Sequence, residues 1–153
     1  MRKILYLHGR GSKPGGTKPK YLQRLGYNVL NPKLPDESFE ESVEIAKKVI
    51  EQEHPDVVVA SSRGGAVALA AAASDTKLVL LCPAWKHFGV EVPTSLKEAT
   101  ILHSSEDDIV LHEDSIKLAE TSGAALITCG HGHRMIDDEA LNVLKEQILS
   151  VLS

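Results

Sequence analysis

Residues 57–73, VVVASSRGGAVALAAAA, place a buried strand, a polar turn and a helix of small residues in direct succession. The apolar run Val57–Ala60 predicts a strand, and Ala66–Ala73 consists of small, strongly helix-forming residues. Two serines, an arginine and two glycines separate these elements. A polar turn between two buried elements indicates a functional residue at the end of the strand.

One of the two serines fits the geometry of a nucleophile elbow. In that motif the strand turns so sharply into the helix that the residues two positions before and after the nucleophile must be small. Ser62 meets this requirement with Ala60 and Gly64, whereas Ser61 would place a valine and an arginine there. Ser62 is therefore the candidate nucleophile. A serine that only caps a buried helix is the alternative interpretation.

Six short apolar runs, each typical of a strand, recur along the chain. They are Ile4–Leu7, Tyr27–Leu30, Val57–Ala60, Leu78–Cys82, Thr100–Leu102 and Ala125–Cys129. Most are apolar throughout, as strands buried on both faces are. Helical patterns separate them, and this alternation predicts an α/β fold with a parallel sheet flanked by helices on both faces. Because such sheets bind ligands beyond the carboxyl ends of their strands, we expect functional residues there.

Cap residues and apolar periodicity predict the helices. Ser38 and Glu41 match a capping box, and Asp137 is a candidate cap for a last helix. The expected inward faces are Phe39, Val43, Ala46 and Ile50 in the first of these helices, and Leu141, Leu144, Ile148 and Val151 in the second. Shorter helices are expected at Pro19–Leu25, Arg63–Ala73 and Asp114–Thr121.

Length and composition predict a single domain over residues 1–153 and exclude several classes of protein. The net charge is −4 and there is no basic run, which argues against nucleic-acid binding. No apolar run approaches the length of about 18 residues that a membrane span needs. The apolar run near the N-terminus is also shorter than the apolar region of a signal peptide. We therefore expect a cytoplasmic protein in which Cys82 and Cys129 are buried, reduced thiols.

The glycine-rich segment after the first strand, HGRGSKPGGT at residues 8–17, does not match either common phosphate-binding motif. A dinucleotide fingerprint that begins at Gly9 needs a glycine where Pro14 stands. A P-loop needs Gly-Lys-Ser/Thr, and the sequence has Gly16-Thr17-Lys18 instead. We therefore expect no nucleotide cofactor.

Two further polar loops follow the fifth and sixth predicted strands. The first contains Asp107 and Asp108, and the second contains His131 and His133. A triad on a sheet of this kind runs in the chain order serine, acid, histidine, and these loops follow Ser62 in that order. The agreement of three separate loops strengthens the interpretation of Ser62 as a nucleophile.

The same residues permit a zinc site as an alternative, because His131, His133 and the acidic cluster include acceptable ligands. A structural zinc site would usually recruit cysteine, and a zinc site would leave the elbow at Ser62 unexplained. We therefore expect no metal.

With these motifs in order, the chain resembles the α/β-hydrolase superfamily, and within it the short YqiA-type bacterial esterases. Tyr6–Gly9 match the "YLHG" opening of those esterases, and Ser61–Gly65 match their "SSxGG" elbow. The resemblance implies a minimal α/β-hydrolase fold with six parallel strands in the order 2-1-3-4-5-6 and no large lid. It also implies a serine hydrolase of the carboxylesterase type, without cofactors, acting on a small ester or thioester.

Residue by residue, the resemblance assigns Ser62 as nucleophile, His133 as base and Asp107 as acid, with Asp108 as the fallback. The oxyanion donors would be the backbone N–H groups of Arg10 and Arg63. A non-catalytic binding module with the same scaffold is the alternative, although all three reacting groups are present. Whether the protein is a monomer or a small homo-oligomer stays open.

Two sets of residues bear on the substrate. Trp85 and Phe88 follow the fourth predicted strand and are candidates for an apolar pocket wall, or else they pack a loop against the sheet. Four basic residues are expected around the mouth of the site: Arg10, Lys13, Arg63 and Arg134. They either attract an anionic substrate or are simply solvated, and the sequence favours solvation.

Overall fold

The computed structural model describes residues 1–96 and 98–153 as one parallel sheet with helices on both faces. The strands are β1 (Lys3–Leu7), β2 (Asn28–Leu30), β3 (Val57–Ser61), β4 (Leu78–Leu81), β5 (Ala99–His103) and β6 (Ala125–Thr128). The helices are α1 (Thr17–Arg24), α2 (Phe39–Glu53), α3 (Arg63–Ala71), α4 (His112–Ser122) and α5 (Asp138–Leu152). The strand order β2-β1-β3-β4-β5-β6 and the parallel pairing confirm the predicted topology.

The core is divided into two layers by the alternation of side chains along the strands. Successive residues of a strand point to opposite faces of the sheet. In β3, Val57 and Val59 pack with α1 and α5, whereas Val58 and Ala60 pack with α2, α3 and α4. Residues of the four inner strands are therefore buried on both faces, which is why those strands are mostly apolar, whereas the edge strands β2 and β6 are partly exposed.

The two predicted helix caps are present. The Ser38 hydroxyl accepts the N–H of Glu41 at the start of α2, and the Asp137 carboxylate accepts the N–H of Ala140 at the start of α5. These bonds satisfy N–H groups that have no partner within the helix.

The buried face of α5 differs from the expected one by one residue at its N-terminal end. Ala140, Leu144 and Ile148 are fully buried, whereas Leu141 is only half-buried and lies outside both core clusters. The expectation that Leu141 faces inward was therefore wrong. Ala140 takes the place beside the sheet because a small residue lets the first turn of α5 approach closely, with Gly130 next to the Ala140 Cβ position.

The connection from β4 to β5, residues 82–98, contains turns and no helix among its described residues. The site at the carboxyl ends of the strands is thus not covered by a large lid. Among the described residues, no helix has the length and apolar character needed to cross a membrane.

Candidate active site

A strained turn holds Ser62 at the carboxyl end of β3. Ser62 has φ 55° and ψ −118°, a conformation that residues other than glycine rarely adopt. Its N–H donates to the carbonyl of Leu81 on β4 at 2.9 Å. The turn brings the start of α3 so close to β1 that a Cβ on Gly64 would lie 2.2 Å from the Leu7 carbonyl oxygen. This contact is the physical reason for the glycine two positions after Ser62.

The structure brings Ser62, His133 and Asp107 together in one hydrogen-bonded chain. The Ser62 hydroxyl lies 3.0 Å from Nε2 of His133, and Nδ1 of His133 lies 2.8 Å from Oδ2 of Asp107. An ionised carboxylate only accepts hydrogen bonds, so Nδ1–H of His133 donates to it and Nε2 accepts from the serine. The three residues come from sequence positions up to 71 residues apart.

The alternative acid and the alternative histidine lie elsewhere. Asp108 is exposed, and no hydrogen bond joins it to His133. His131 is exposed as well, and its Nδ1 pairs with a Glu106 carboxylate oxygen at 2.6 Å, which raises the pKa of His131. The geometry therefore selects Asp107 and His133 from the two pairs that the sequence left open.

The Asp107 carboxylate is buried and held from several directions. Its Oδ1 accepts the N–H groups of Ile109 and Val110 at 2.8 and 2.9 Å, which bends the loop back over the side chain. Burial raises the pKa of Asp107, but the hydrogen bonds from His133, Ile109 and Val110 outweigh it and hold this pKa below its usual value. Asp107 is therefore ionised and able to orient the imidazole.

A second histidine, His103, contacts the same Asp107 oxygen, Oδ2, as His133 does. His103 is completely buried at the end of β5, with Nε2 3.0 Å from both Asp107 Oδ2 and the Val110 carbonyl oxygen. Its Nδ1 accepts the hydroxyl of Ser115 at 2.6 Å. Burial lowers the pKa of His103 despite the nearby carboxylate, so this ring is neutral and its Nε2–H donates.

Sequence reasoning assigned no role to His103. The available signal was a histidine at the end of an apolar strand, four residues before a candidate acid. A buried imidazole in that position needs partners for both ring nitrogens. Asp107 and Ser115 are those partners, and they lie on separate segments that the sequence pattern alone does not bring together.

Side chains from three other elements hold the loop that carries His133. The Cys82 thiol donates to the His133 carbonyl oxygen at 3.3 Å, and the Lys18 ammonium donates to the Arg134 carbonyl oxygen at 2.6 Å. The buried Ser104 hydroxyl accepts the Gly132 N–H at 3.0 Å and so joins the loops after β5 and β6. Both backbone neighbours of the imidazole are thus restrained.

The two expected oxyanion donors come from two segments, the start of α3 and the turn after β1. Arg63 is the first residue of α3, where a backbone N–H has no partner within the helix. Arg10 lies in the turn after β1, which the Ser12 N–H closes on the Gly9 carbonyl at 3.2 Å. Both residues line the cavity at Ser62.

The sequence favoured a solvated Arg63 side chain at the mouth of the site, but in the structure this side chain is buried. It is 1% exposed, with its guanidinium carbon 5.6 Å from the ring centres of both Phe39 and Phe88. One guanidinium nitrogen, Nη2, donates to the Pro35 carbonyl at 2.9 Å, while Nη1 is buried without a hydrogen-bond partner among the described residues. Burial lowers the pKa of Arg63 from its usual high value. The side chain therefore joins the loop before α2 to the start of α3.

A cavity of about 500 Å³ opens above Ser62. Phe88 is one of its lining residues, as expected. Trp85 is not, which corrects the expectation that both aromatic residues form the pocket wall. Trp85 is buried in the core beneath the loop, and its indole N–H donates to the Asp114 carbonyl at 3.0 Å, because a buried indole needs an acceptor.

Two groups of potential metal ligands occur among the described residues, each with its ligand atoms within 4.8 Å of one another. They are Cys82, Asp107 and His133, and His131, Asp137 and Glu139. His131 and His133, paired in the zinc hypothesis, thus fall into separate groups. In the first group the acceptors and donors already satisfy one another: Asp107 accepts hydrogen bonds on both oxygens, and the thiol donates to a carbonyl.

Comparison with known proteins gives matches at the level of the fold. No known family model matches the chain, and no curated protein matches it. A protein of the α/β-hydrolase superfamily from Xanthomonas campestris pv. campestris is 23% identical with a TM-score of 0.68, over 98% of this chain and 99% of that one. Alpha/beta hydrolase domain-containing protein 10 from mouse is 16% identical with a TM-score of 0.80, over 99% and 90% of the two chains. Est1E from Butyrivibrio proteoclasticus is 17% identical with a TM-score of 0.77, over 99% and 88%.

These similarities define the fold of the protein. The chain has the α/β-hydrolase fold in a small form, with a six-stranded parallel sheet and no large lid. The resemblance to YqiA-type esterases stays a prediction, since the matching structures share the architecture at low sequence identity.

Proposed function

We propose that the protein is a serine hydrolase of the carboxylesterase type that cleaves a small ester or thioester through a covalent acyl-enzyme. The observation that carries this proposal is the continuous hydrogen-bonded chain from the Ser62 hydroxyl through His133 to Asp107. A serine hydroxyl is a weak nucleophile until a neighbouring base takes its proton. Here the base lies within hydrogen-bond distance, and a buried carboxylate orients it.

In the first half of the reaction, Ser62 Oγ attacks the carbonyl carbon of the ester while Nε2 of His133 takes the hydroxyl proton. Asp107 stabilises the resulting imidazolium and keeps Nδ1 protonated. The backbone N–H groups of Arg63 and Arg10 would hydrogen-bond the oxyanion, and one such donor contributes about 3–4 kcal/mol where it has been removed from other enzymes. The imidazolium then protonates the leaving alcohol or thiol, which departs and leaves the acyl group on Ser62.

In the second half, His133 takes a proton from water, whose oxygen attacks the acyl carbon. The tetrahedral intermediate collapses, the imidazolium returns the proton to Ser62, and the carboxylic acid leaves. His133 has to be unprotonated at the start of both halves. Activity is therefore expected to fall at acidic pH.

Covalent labelling with a fluorophosphonate, located by mass spectrometry, tests the proposal together with hydrolysis of short-chain 4-nitrophenyl esters. We expect the label on Ser62 and turnover by the wild type. Ser62→Ala should lose both signals, while the matched control Ser61→Ala should retain a label on Ser62. A folded wild type that neither labels nor turns over esters would refute the proposal and support the non-catalytic binding module.

A further inference from the structure

The lining of the cavity above Ser62 has a charge opposite to that of the chain as a whole. Five basic residues line it: Arg10, Lys13, Lys18, Arg63 and Arg134. No aspartate or glutamate lines it among the described residues. The whole chain, in contrast, has 21 acidic and 17 basic residues. The distribution of charge thus concentrates positive potential at the site.

Nearby carboxylates offset only part of this charge. Asp36 and Glu37 act on Arg63, and Asp36 also accepts the Gly11 N–H at 3.0 Å. Asp107 lies behind His133, where backbone and imidazole N–H groups already hold it. The positive charges also act on one another, since Arg134, after burial, contributes to the lowered pKa of Lys18.

The sheet order separates three of the basic residues, those in the loop after β1 and at the start of α1, from the apolar ones, while Arg134 follows β6. β1 lies on one side of β3, and β4 and β5 lie on the other, so Ser62 at the end of β3 sits between the loops that follow them. The loop after β1 and the start of α1 contribute Arg10, Lys13 and Lys18, and Lys18 binds the backbone of Arg134. We call these four residues the basic wall.

The opposite side of the cavity is mostly apolar, with His87 as its polar member. Ala84 and Phe88 come from the connection after β4, and Ile109 and Val110 from the loop after β5. Ile109 is 60% exposed although it is a large apolar residue. We call these four residues the apolar wall. An exposed isoleucine at the edge of a cavity is available to contact an apolar group of a ligand.

The backbone on the basic side also favours an anion. Gly16 and Thr17, at the start of α1, line the cavity. The first turn of α1 contains no acidic residue, and no side chain caps it. The N–H groups and the positive end of the helix dipole are therefore unopposed on the same side as the basic wall.

We propose that the substrate is an ester that carries an anionic group, a carboxylate or a phosphate, beside the basic wall and an apolar group beside the apolar wall. This inference rests on the proposed serine hydrolase activity and specifies its substrate class. Oppositely charged groups in a cavity raise the local concentration of substrate and its association rate, and salt screens this effect. The sequence favoured simple solvation of these basic residues, and this proposal takes the alternative, attraction of an anionic substrate.

Three esters with a common frame test the substrate class. The neutral reference is 4-nitrophenyl hexanoate. In 4-nitrophenyl hydrogen adipate the acyl chain ends in a carboxylate, and in 3-carboxy-4-nitrophenyl hexanoate the leaving group carries it. At low ionic strength we expect kcat/KM for at least one anionic ester to exceed that of the reference by about tenfold or more. This advantage should vanish in about 1 M salt, where the screening length is about 3 Å. Whichever ester gains shows which half of the substrate meets the basic wall.

Charge reversal ties the effect to the basic wall. Lys13 is exposed and lines the cavity, so Lys13→Glu should bring kcat/KM of the anionic ester down towards that of the neutral ester measured on the same variant. Lys145 is equally exposed but lies on α5 and does not line the cavity. Lys145→Glu changes the net charge by the same amount and should preserve the advantage.

A binding measurement separates this inference from the proposed function. In Ser62→Ala, titration with adipate should shift the amide NMR signals of Gly16 and Thr17, and titration with uncharged adipamide should not. If the wild type hydrolyses the neutral ester at Ser62 but has no anionic preference, no salt dependence and no adipate shifts, the substrate class is wrong and the hydrolase proposal stands. If no ester reacts but adipate binds at these amides, the hydrolase proposal fails and the anion site stands.

Discussion

Substitution of Gly64 by alanine tests the close contact between the start of α3 and the end of β1 that shapes the elbow at Ser62. An added Cβ would lie 2.2 Å from the Leu7 carbonyl oxygen, 2.7 Å from its carbonyl carbon and 2.8 Å from the His8 oxygen. The first of these distances is about 1.2 Å shorter than an ordinary van der Waals contact of 3.4 Å. All three atoms belong to the backbone of the central part of the sheet, so no flexible side chain can move away.

The magnitude follows from this rigidity. Overpacking of a core usually costs about 1–3 kcal/mol, and here the helix itself has to move, so we expect a loss of about 3 kcal/mol or more in unfolding free energy. For a chain of this size that corresponds to a decrease of about 6–12 °C in Tm. A shift of α3 by about 1 Å also displaces Ser62 from His133, which is expected to lower kcat by about 100-fold.

Two other glycines provide graded controls. In Gly65→Ala the nearest atoms are Cβ and Cα of Pro83 at 2.8 and 2.9 Å, in a loop, so we expect a smaller loss of about 1–2 kcal/mol. In Gly16→Ala the nearest atom is 3.9 Å away and φ is negative. This variant should be as stable as the wild type or more stable by up to about 1 kcal/mol.

Urea unfolding followed by fluorescence measures all three variants, because the chain has one tryptophan, the buried Trp85. Fluorophosphonate labelling of the same samples measures Ser62 directly. If Gly64→Ala unfolds at the same urea concentration as Gly16→Ala and labels at the wild-type rate, the sharp elbow and the contact with Leu7 are refuted.

Three further substitutions or reactions test other parts of the site. Asp107→Asn should lower kcat by about 10⁴-fold, as removal of the orienting carboxylate does in another triad. Because the folded-state pKa of Asp107 is depressed, its carboxylate stabilises the fold above a pH of about 4, and this contribution is lost as the pH falls through the folded-state pKa. The difference in unfolding free energy between wild type and Asp107→Asn should therefore shrink as the pH falls below about 4, and a constant difference would contradict the hydrogen-bonded carboxylate. His103→Leu removes a donor to Asp107 and should lower kcat about tenfold or more with little change in KM. His103→Gln, whose amide can still donate, should recover part of the lost kcat. Equal rates for the two variants would argue against a positioning role of His103. Burial raises the thiol pKa to about 12 for Cys82 and about 11 for Cys129. Neither thiol should therefore react with Ellman's reagent at about pH 8 until urea unfolds the chain. Rapid reaction of the folded protein would show that a thiol is accessible.

Much of the fold is encoded in short-range patterns. Each of the six strands was predicted within two residues of its bounds, because each contains a short apolar run, and the four inner strands are buried on both faces. The caps at Ser38 and Asp137 were predicted for a similar reason, since each bond spans three residues. The elbow belongs to the same category, because its steric requirement concerns residues two positions from Ser62.

The order of strands depends on information of another kind. Alternation of strands and helices predicts a parallel sheet, but not which strands are neighbours. The order 2-1-3-4-5-6 was predicted from the family resemblance and is confirmed by the pairing. Without that resemblance, the residues alone would have placed three polar loops at one edge of a sheet and left their distances open.

Side-chain partners far apart in sequence were beyond the reach of local patterns. Asp107 and Asp108 are identical in type and adjacent, and only the bend made by the Ile109 and Val110 N–H groups directs Asp107 to His133. The sequence pattern makes Arg63 a polar turn residue, yet packing of the loop before α2 buries it against the stacked rings of Phe39 and Phe88.

The sequence by itself therefore determined the elements, their caps, the sharp turn at Ser62 and the set of loops that carry polar residues, since each depends on neighbours within about one helical turn. Packing decided which acid and which histidine meet the serine, the placement of His103 behind the acid, the removal of Trp85 from the cavity and the separation of a basic from an apolar wall. These features depend on contacts across the sheet, such as the 71 positions between Ser62 and His133, and no periodicity in the sequence encodes such a distance.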